Sequence, residues 1–386
     1  MIYLDYNATA PLRPDAAAAV ARVAAESCGN ASSVHQFGRR ARMIVEACRR
    51  TVAEAIGAEP SEVFFTSGGT ESNNLALFGA LRDWRGRHLV VSPVEHSSII
   101  QSGRELERRG ARVSWLPVDE CGRVALRSLA AVLSDDTALV SIGWANNEIG
   151  TVQAVEEFGE ICRSRNVPLH VDAVQAFGKL PVAVRGLTLC SLSAHKIGAP
   201  QGVGALFVQR GFELQPLFFG GAHERGLRPG TENVAGLAGF AAALTSGRTS
   251  GVRMESLRER LWDGLARLHG VRRNSPSEGC LPNTLNVSFG DLRGESLVAA
   301  LDLEGIAVSV GSACAAGSAE PSHVLLAIGR NADEAREGVR FSLGEATTVE
   351  EIDGTVTVLR RVVVRMRGTF DGRSQENERR ATEHLA

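Results

Sequence analysis

Lys196 and Asp172 carry the strongest chemical suggestion in this sequence. Lys196 stands in Ser193-Ala194-His195-Lys196-Ile197-Gly198, behind an apolar run over 188–192 and ahead of a Pro/Gly turn. Lysine is rarely fully buried without a partner or a task. Among small and hydroxyl residues at a strand end, it is a candidate for an amine tuned by desolvation to form a Schiff base. A lysine snorkelling at a sheet rim is the plainer alternative. Asp172 lies upstream in His170-Val171-Asp172-Ala173-Val174-Gln175, an acid in a second apolar run. It reads either as a strand-end cap or ion-pair partner, or as an anion that keeps an aromatic nitrogen protonated so that the ring can accept electrons.

Thr66-Ser67-Gly68-Gly69-Thr70-Glu71-Ser72 falls between an apolar run and a helical pattern. Glycines there let backbone N–H groups close around an anion at a helix N-terminus. A plain glycine turn with a hydroxyl cap is the alternative. No Gly-Lys-Ser/Thr follows, so this is not a nucleotide P-loop. A phosphate cradle, an acid for a pyridine nitrogen and a Schiff-base lysine together match the needs of pyridoxal phosphate, with Gln175 placed to donate to its phenolic oxygen.

Further candidates stand at other element ends. His96, in Val94-Glu95-His96-Ser97-Ser98, follows the carboxyl end of a strand, where open α/β sheets gather ligands. A lone histidine is more often structural than catalytic. Ser193 and His195 either satisfy buried backbone or donate to a ligand. Asn147, in Asn146-Asn147-Glu148, either orients a ring oxygen or belongs to a turn. Thr231 lies in a Gly-rich stretch where a helix starts, as a cap or as another phosphate donor. Cys314 is set among small residues in Gly311-Ser312-Ala313-Cys314-Ala315-Ala316-Gly317-Ser318, a context that leaves a thiol exposed and its loop mobile. Arg340 is a cation inside an apolar strand, and a buried guanidinium wants a carboxylate, either internal or a substrate's, in forked geometry.

The elements that must position these residues follow from periodicity. Short apolar runs at 63–65, 89–91, 113–116, 138–142, 169–171, 188–192 and 204–208 alternate with helical patterns at 73–84, 97–109, 126–133 and 155–165. That alternation predicts βαβ units and a mostly parallel seven-stranded sheet covered on both faces, its last strand antiparallel. Helices over 14–27 and 37–56 precede it, the second with Ala41, Ile44, Val45, Cys48, Val52 and Ile56 on one stripe. A helix over 232–244 leads to a linker at 245–251. Beyond it, helices at 254–268, 295–303, 322–328 and 349–367 and strands at 284–289, 307–310 and 339–341 predict a smaller α+β unit. Thr348 and Glu351 form a capping box for the last helix. The expected division is 13–250 for the large unit and 1–12 with 251–370 for the small one, with a mobile polar tail at 371–386.

The 386 residues suffice for two such units. With 44% hydrophobic and 22% charged residues, the composition is that of a soluble globular protein. A formal net charge of −2 gives no reason to propose nucleic acid or a membrane surface as partner. The start lacks a basic region and a long apolar core, so a cytoplasmic setting is expected. The seven cysteines contain no CxxC pair, which argues against a disulfide framework or a zinc site, and no metal is expected.

Taken together, TSGGTESNN (66–74), VEHSSI (94–99), NNEIG (146–150), HVDAVQ (170–175), SAHKIG (193–198), GTEN (230–233), GSACAAGSAEPSHVL (311–325) and RFSLG (340–344) resemble the cysteine desulfurases of the class V aminotransferase family, in the NifS/IscS-like branch. The resemblance covers nearly the whole chain. It implies a fold-type I pyridoxal 5'-phosphate enzyme, a homodimer converting L-cysteine to L-alanine and passing sulfur to an acceptor protein. By that likeness Lys196 holds the cofactor aldehyde, Asp172 pairs with the pyridine nitrogen, Gln175 meets the ring oxygen, and His96 stacks on the ring and shuttles protons. The phosphate is held by Gly69, Thr70, Ser193, His195 and, from the other subunit, Thr231. Asn147 lies near cofactor and substrate, Arg340 clamps the substrate carboxylate with help from Asn7, and Cys314 receives the sulfur as a persulfide. Gly198-Ala199-Pro200-Gln201 and the C-terminal tail depart from the family's common pattern. A selenocysteine lyase or another class V reaction, and a non-catalytic subunit of the same fold, are the alternatives.

Overall fold

The structure is a computed structural model and describes residues 1–26, 29–80, 85–246, 251–311 and 320–383, with side chains described as far as 368. In chain order the elements are β1 (Ile2–Tyr3), α1 (Pro14–Glu26), α2 (Gln36–Ile56), β2 (Val63–Thr66), α3 (Gly69–Ala80), β3 (His88–Val91), α4 (Ser97–Arg108), β4 (Arg112–Trp115), α5 (Leu126–Val132), β5 (Thr137–Gly143), α6 (Val155–Ser164), β6 (Leu169–Asp172), β7 (Leu189–Ser193), β8 (Gly204–Val208) and α7 (Val234–Thr245). The rest of the chain adds α8 (Gly251–Leu265), β9 (Val271–Arg273), β10 (Thr284–Phe289), α9 (Gly294–Leu303), β11 (Ile306–Ala307), α10 (His323–Ala327), α11 (Ala332–Arg336), β12 (Gly338–Ser342) and α12 (Val349–Glu383).

Seven strands form one sheet in the order β2-β8-β7-β6-β5-β3-β4. Five of them, β4, β3, β5, β6 and β7, run parallel. β8 pairs antiparallel with both β2 and β7, as expected for the last strand of the series. β3, β6, β7 and β8 are buried at every position, which is why they read as unbroken apolar runs rather than as alternation. α2 lays Ala41, Val45, Cys48, Val52 and Ile56 into the core on one side of the sheet, with Ile44 at its edge. α3 and α4 bury Leu75, Leu77, Ile99 and Leu106 on the other.

A second core gathers α8, β10, α9, β12 and α12 around Leu261, Val287, Leu297, Phe341 and Leu359. Leu4 belongs to it, because β1 pairs parallel with β11 and draws the first residues across the molecule. α12 opens with the predicted box: Glu351 N–H donates to Thr348 Oγ1 at 3.2 Å and Thr348 N–H to Glu351 Oε2 at 3.0 Å. It then runs to Glu383, past the expected end near Arg367, since no proline interrupts a sequence rich in helix formers. β1 is the short extended start that the sequence suggests, whereas β9 and α11 are too short to show a period and were not anticipated. The run over 307–310 forms strand only at Ile306–Ala307, with Ser309 bridging to Arg340 beyond it. α7 is capped two residues beyond Thr231 by Asn233, whose Oδ1 accepts from Gly236 N–H at 3.0 Å. Among the described residues, no helix is long and apolar enough to cross a membrane.

Candidate active site

The parallel strands deliver their polar residues to one edge. β3 ends into Glu95 and His96, β5 into Asn146 and Asn147, β6 at Asp172, and β7 into the short 3₁₀ turn Ala194–Ile197 that carries Lys196. Gly198 closes that turn at φ +78°, a left-handed conformation that suits glycine. Above this edge lies a cavity of about 250 Å³. It is lined by Asn7, Gly69, Thr70, His96, Asn147, Asp172, Gln175, Ser193, His195, Lys196 and Arg340, so eleven of the thirteen residues singled out in the sequence meet in one place.

Asp172 is buried at the floor. Its Oδ1 accepts from Val174 N–H at 2.9 Å and its Oδ2 from Asn73 Nδ2 at 2.7 Å. The Asn73 amide nitrogen also reaches Ser98 Oγ at 2.9 Å, and Ser98 Oγ lies 2.8 Å from His96 Nδ1. Beside them Glu95 is buried, accepting from Gly143 N–H at 2.8 Å. Burial, with a smaller push from Asp172, raises its carboxyl to about 8. A neutral Glu95 spares Asp172 a like charge. His323, at the start of α10, pairs through Nε2 with the backbone oxygen of Glu95 at 2.9 Å and ties α10 to this corner.

Asn7 is the hub of the opposite wall. Its backbone oxygen accepts from Lys196 Nζ at 2.6 Å and from Gln175 Nε2 at 2.9 Å. Its side chain accepts from Lys179 Nζ at 2.8 Å and donates to Asn147 O at 3.1 Å and Thr284 Oγ1 at 2.8 Å. Lys179, which periodicity did not single out, also donates to Gln175 Oε1 at 2.5 Å. Burial, then the charges of Lys196 and Arg340, hold this amine well below the ordinary lysine value. Lys196 donates as well to Ala8 O at 2.8 Å. His195 faces Thr9 Oγ1 at 3.1 Å, and burial with the two lysines lowers it to about 4, so the ring is neutral at physiological pH.

At the end of the cavity α3 begins at Gly69, beside Ser193 and His195. The first N–H groups of a helix have no intrahelical partner. A Cβ at Gly69 would stand 2.7 Å from Val174 Cγ2, so glycine is what lets the helix start approach this wall. Arg340 is buried, bonded to Asp5 Oδ1 at 2.7 Å, Gly311 O at 2.6 Å and Asn147 O at 3.1 Å. The carboxylate it wants is therefore internal here, while its Nε is buried without a partner among the described residues. Thr231 is not brought into this cavity; it lines a separate hollow with Phe65, Gly202 and Asn233. Cys314 lies outside the described residues. Of the other thiols, burial pushes Cys48 and Cys162 up to about 12 and Cys280 to about 11, and raises Cys190 as well, so none of these four is a ready thiolate.

Glu95, Asn73, Ser98, Lys179 and His323 were not singled out in the sequence. All but Lys179 fall inside the quoted motifs, and Lys179 lies four residues beyond Gln175, which was the available signal.

Comparison with known proteins places these residues in a family. Residues 2–354 match the class V aminotransferase model. The chain is 44% identical over 379 residues to the cysteine desulfurase IscS of Aeromonas hydrophila subsp. hydrophila, covering 95% of this chain and 93% of that one. Among solved structures it is similar to a NifS-like protein at 37% identity and a TM-score of 0.86, covering 95% of this chain and 99% of the other. SspA in complex with cysteine is similar at 32% identity and a TM-score of 0.81, covering 90% and 100%. With its fold-type I architecture, the chain belongs to the class V aminotransferases, a family of pyridoxal-phosphate-dependent enzymes, in the branch of the NifS- and IscS-like proteins.

Proposed function

We propose that this chain is a cysteine desulfurase that converts L-cysteine to L-alanine, leaves the sulfur on Cys314 as a persulfide and passes it to an acceptor protein. The observation that carries the reading is the meeting of Lys196, Asp172 and His96 with the Arg340 guanidinium on one cavity.

The donor set fits pyridoxal 5'-phosphate. Gly69 and Thr70 at the start of α3, with Ser193 and His195, would take the phosphate, and Asp172 the pyridine nitrogen. Gln175, oriented by Lys179, has an amide N–H to spare for the ring oxygen, and Lys196 is the amine for the aldehyde. His96 would stack on the ring. When bound, the cofactor supplies an electron sink for the charge left at the substrate Cα. A second copy of the chain would bring Thr231 to the phosphate, and we propose a homodimer for that reason. The two hydrophobic cores support a large unit over 13–250 and a small one over 1–12 and 251–370.

Arg340, with Asn7 and Asn147 beside it, would exchange its bond to Asp5 for one to the carboxylate of L-cysteine and so orient Cα. Lys196 Nζ takes the proton from Cα. The Cys314 thiolate attacks the substrate sulfur, forming an S–S bond as the C–S bond breaks. The electron pair of the broken bond reduces the substrate carbon, Cβ gains the proton that the Cys314 thiol gave up, Lys196 returns its proton to Cα, and the sulfur pair takes up the oxidation, so the products are alanine and a Cys314 persulfide with no external oxidant required.

The test is to incubate the cofactor-loaded protein with L-cysteine and measure alanine. Wild type should form it, and Lys196→Ala should be slower by about 10³-fold or more. Turnover by Lys196→Ala at the wild-type rate would refute the assignment. Full turnover by Cys314→Ser would move the reading to another class V reaction, and selenide release from selenocysteine would mark that alternative.

A further inference from the structure

The hydrogen bonds joining Asp172 to His96 have directions that are fixed from one end. The Asp172 carboxylate already accepts from Val174 N–H, and it faces the Asn73 amide at 2.7 Å. A carboxylate only accepts, so the amide must present its nitrogen. That nitrogen has a second N–H, and Ser98 Oγ receives it at 2.9 Å. The orientation is kept although it leaves Asn73 Oδ1 buried without a partner among the described residues. The charged bond to Asp172 outweighs that loss.

Ser98 is thereby left with its own hydroxyl proton to give. The acceptor in reach is His96 Nδ1, at 2.8 Å. The backbone N–H of Ser98 also points at this nitrogen, at 3.2 Å, because His96 is the N-cap of α4. Histidine is an uncommon N-cap, and it can serve as one only through a ring nitrogen that carries no proton. Two donors therefore converge on Nδ1, and the neutral ring must hold its proton at Nε2.

We propose that Asn73 and Ser98 are positioning residues that hold His96 in its Nε2–H tautomer, so that the ring meets the cavity as a hydrogen-bond donor and not as a base. The assignment of base duty at Cα to Lys196 is its counterpart, and to that extent the inference rests on the desulfurase reading.

The imidazole ¹⁵N spectrum of the cofactor-loaded protein tests it, with the His96 signals assigned as those missing from His96→Gln. Wild type should show a pyridine-like Nδ1 and a pyrrole-like Nε2. Ser98→Ala should mix the tautomers and lower kcat about fivefold, the factor carried by one hydrogen bond of typical net strength, with KM for L-cysteine unchanged. Ser98→Thr, which keeps the hydroxyl, should restore both. A proton on Nδ1 of wild-type His96 would overturn the proposal, as would a Ser98→Ala spectrum identical to wild type. Should Ser98→Ala fail to fold, the wild-type spectrum still decides. Absence of alanine formation by wild type would sink the desulfurase reading while leaving the tautomer legible in the spectrum.

Discussion

Replacing Glu95 by glutamine should stabilise the protein, and more strongly as the pH rises. In the folded chain burial keeps this carboxyl protonated up to about pH 8, whereas its ordinary value is 4.5. Below about 4.5 both folded and unfolded states hold the proton, and the group's contribution to stability is fully present. Between the two values the folded state binds a proton that the unfolded chain has lost, so stability falls by about 1.36 kcal/mol for each pH unit. The fall reaches about 3 kcal/mol near neutrality and about 5 kcal/mol by the time the folded carboxyl ionises. Glutamine keeps the oxygen that accepts from Gly143 N–H and has no proton to lose. Unfolding midpoints of the two proteins, measured between about pH 5 and about pH 9, should diverge steadily and then level off. A gap that stayed constant, or narrowed with rising pH, would refute the claim that Glu95 is a buried neutral acid.

Three other substitutions probe separate parts of the account. Arg340→Lys keeps the charge and loses the fork, so KM for L-cysteine should rise about tenfold or more, read from initial rates. Arg49→Met strands Glu224, which now receives two charged bonds at 2.8 and 2.7 Å and a third from Phe65 N–H. Urea unfolding should show a loss of about 3–5 kcal/mol. Lys179→Met removes the amine that orders the Asn7 and Gln175 amides; cofactor affinity, followed by absorbance titration, should fall about 25-fold, as two hydrogen bonds of typical net strength require.

Much of this was legible in the sequence, for a physical reason. In a parallel sheet buried on both faces, strands are written as apolar runs, and polar residues such as Asp172, Lys196 and His96 are conspicuous where the runs end. The carboxyl edge then does the assembling. What was not legible is what depends on contacts between distant segments. Asn7 was expected only to help Arg340 hold the substrate carboxylate, yet it joins Lys196, Lys179, Gln175 and Thr284 because β1 pairs with β11 and carries the first residues across the molecule. Lys179 is hidden by its own sequence neighbourhood, where a solvated lysine would read the same. Arg340 was expected to want a carboxylate, and it has one in Asp5, supplied from the far end of the chain. Thr231 stays outside the cavity of its own chain and lines a separate hollow.

The central claim is that sulfur leaves cysteine by way of one thiol. Mass spectrometry of the peptide containing Cys314, taken after the cofactor-loaded protein meets L-cysteine and before any reductant is added, tests it most directly. The account predicts one additional sulfur atom on Cys314, matched mole for mole by alanine and absent from Cys314→Ser. Alanine formed in full while Cys314 stays unmodified would contradict it.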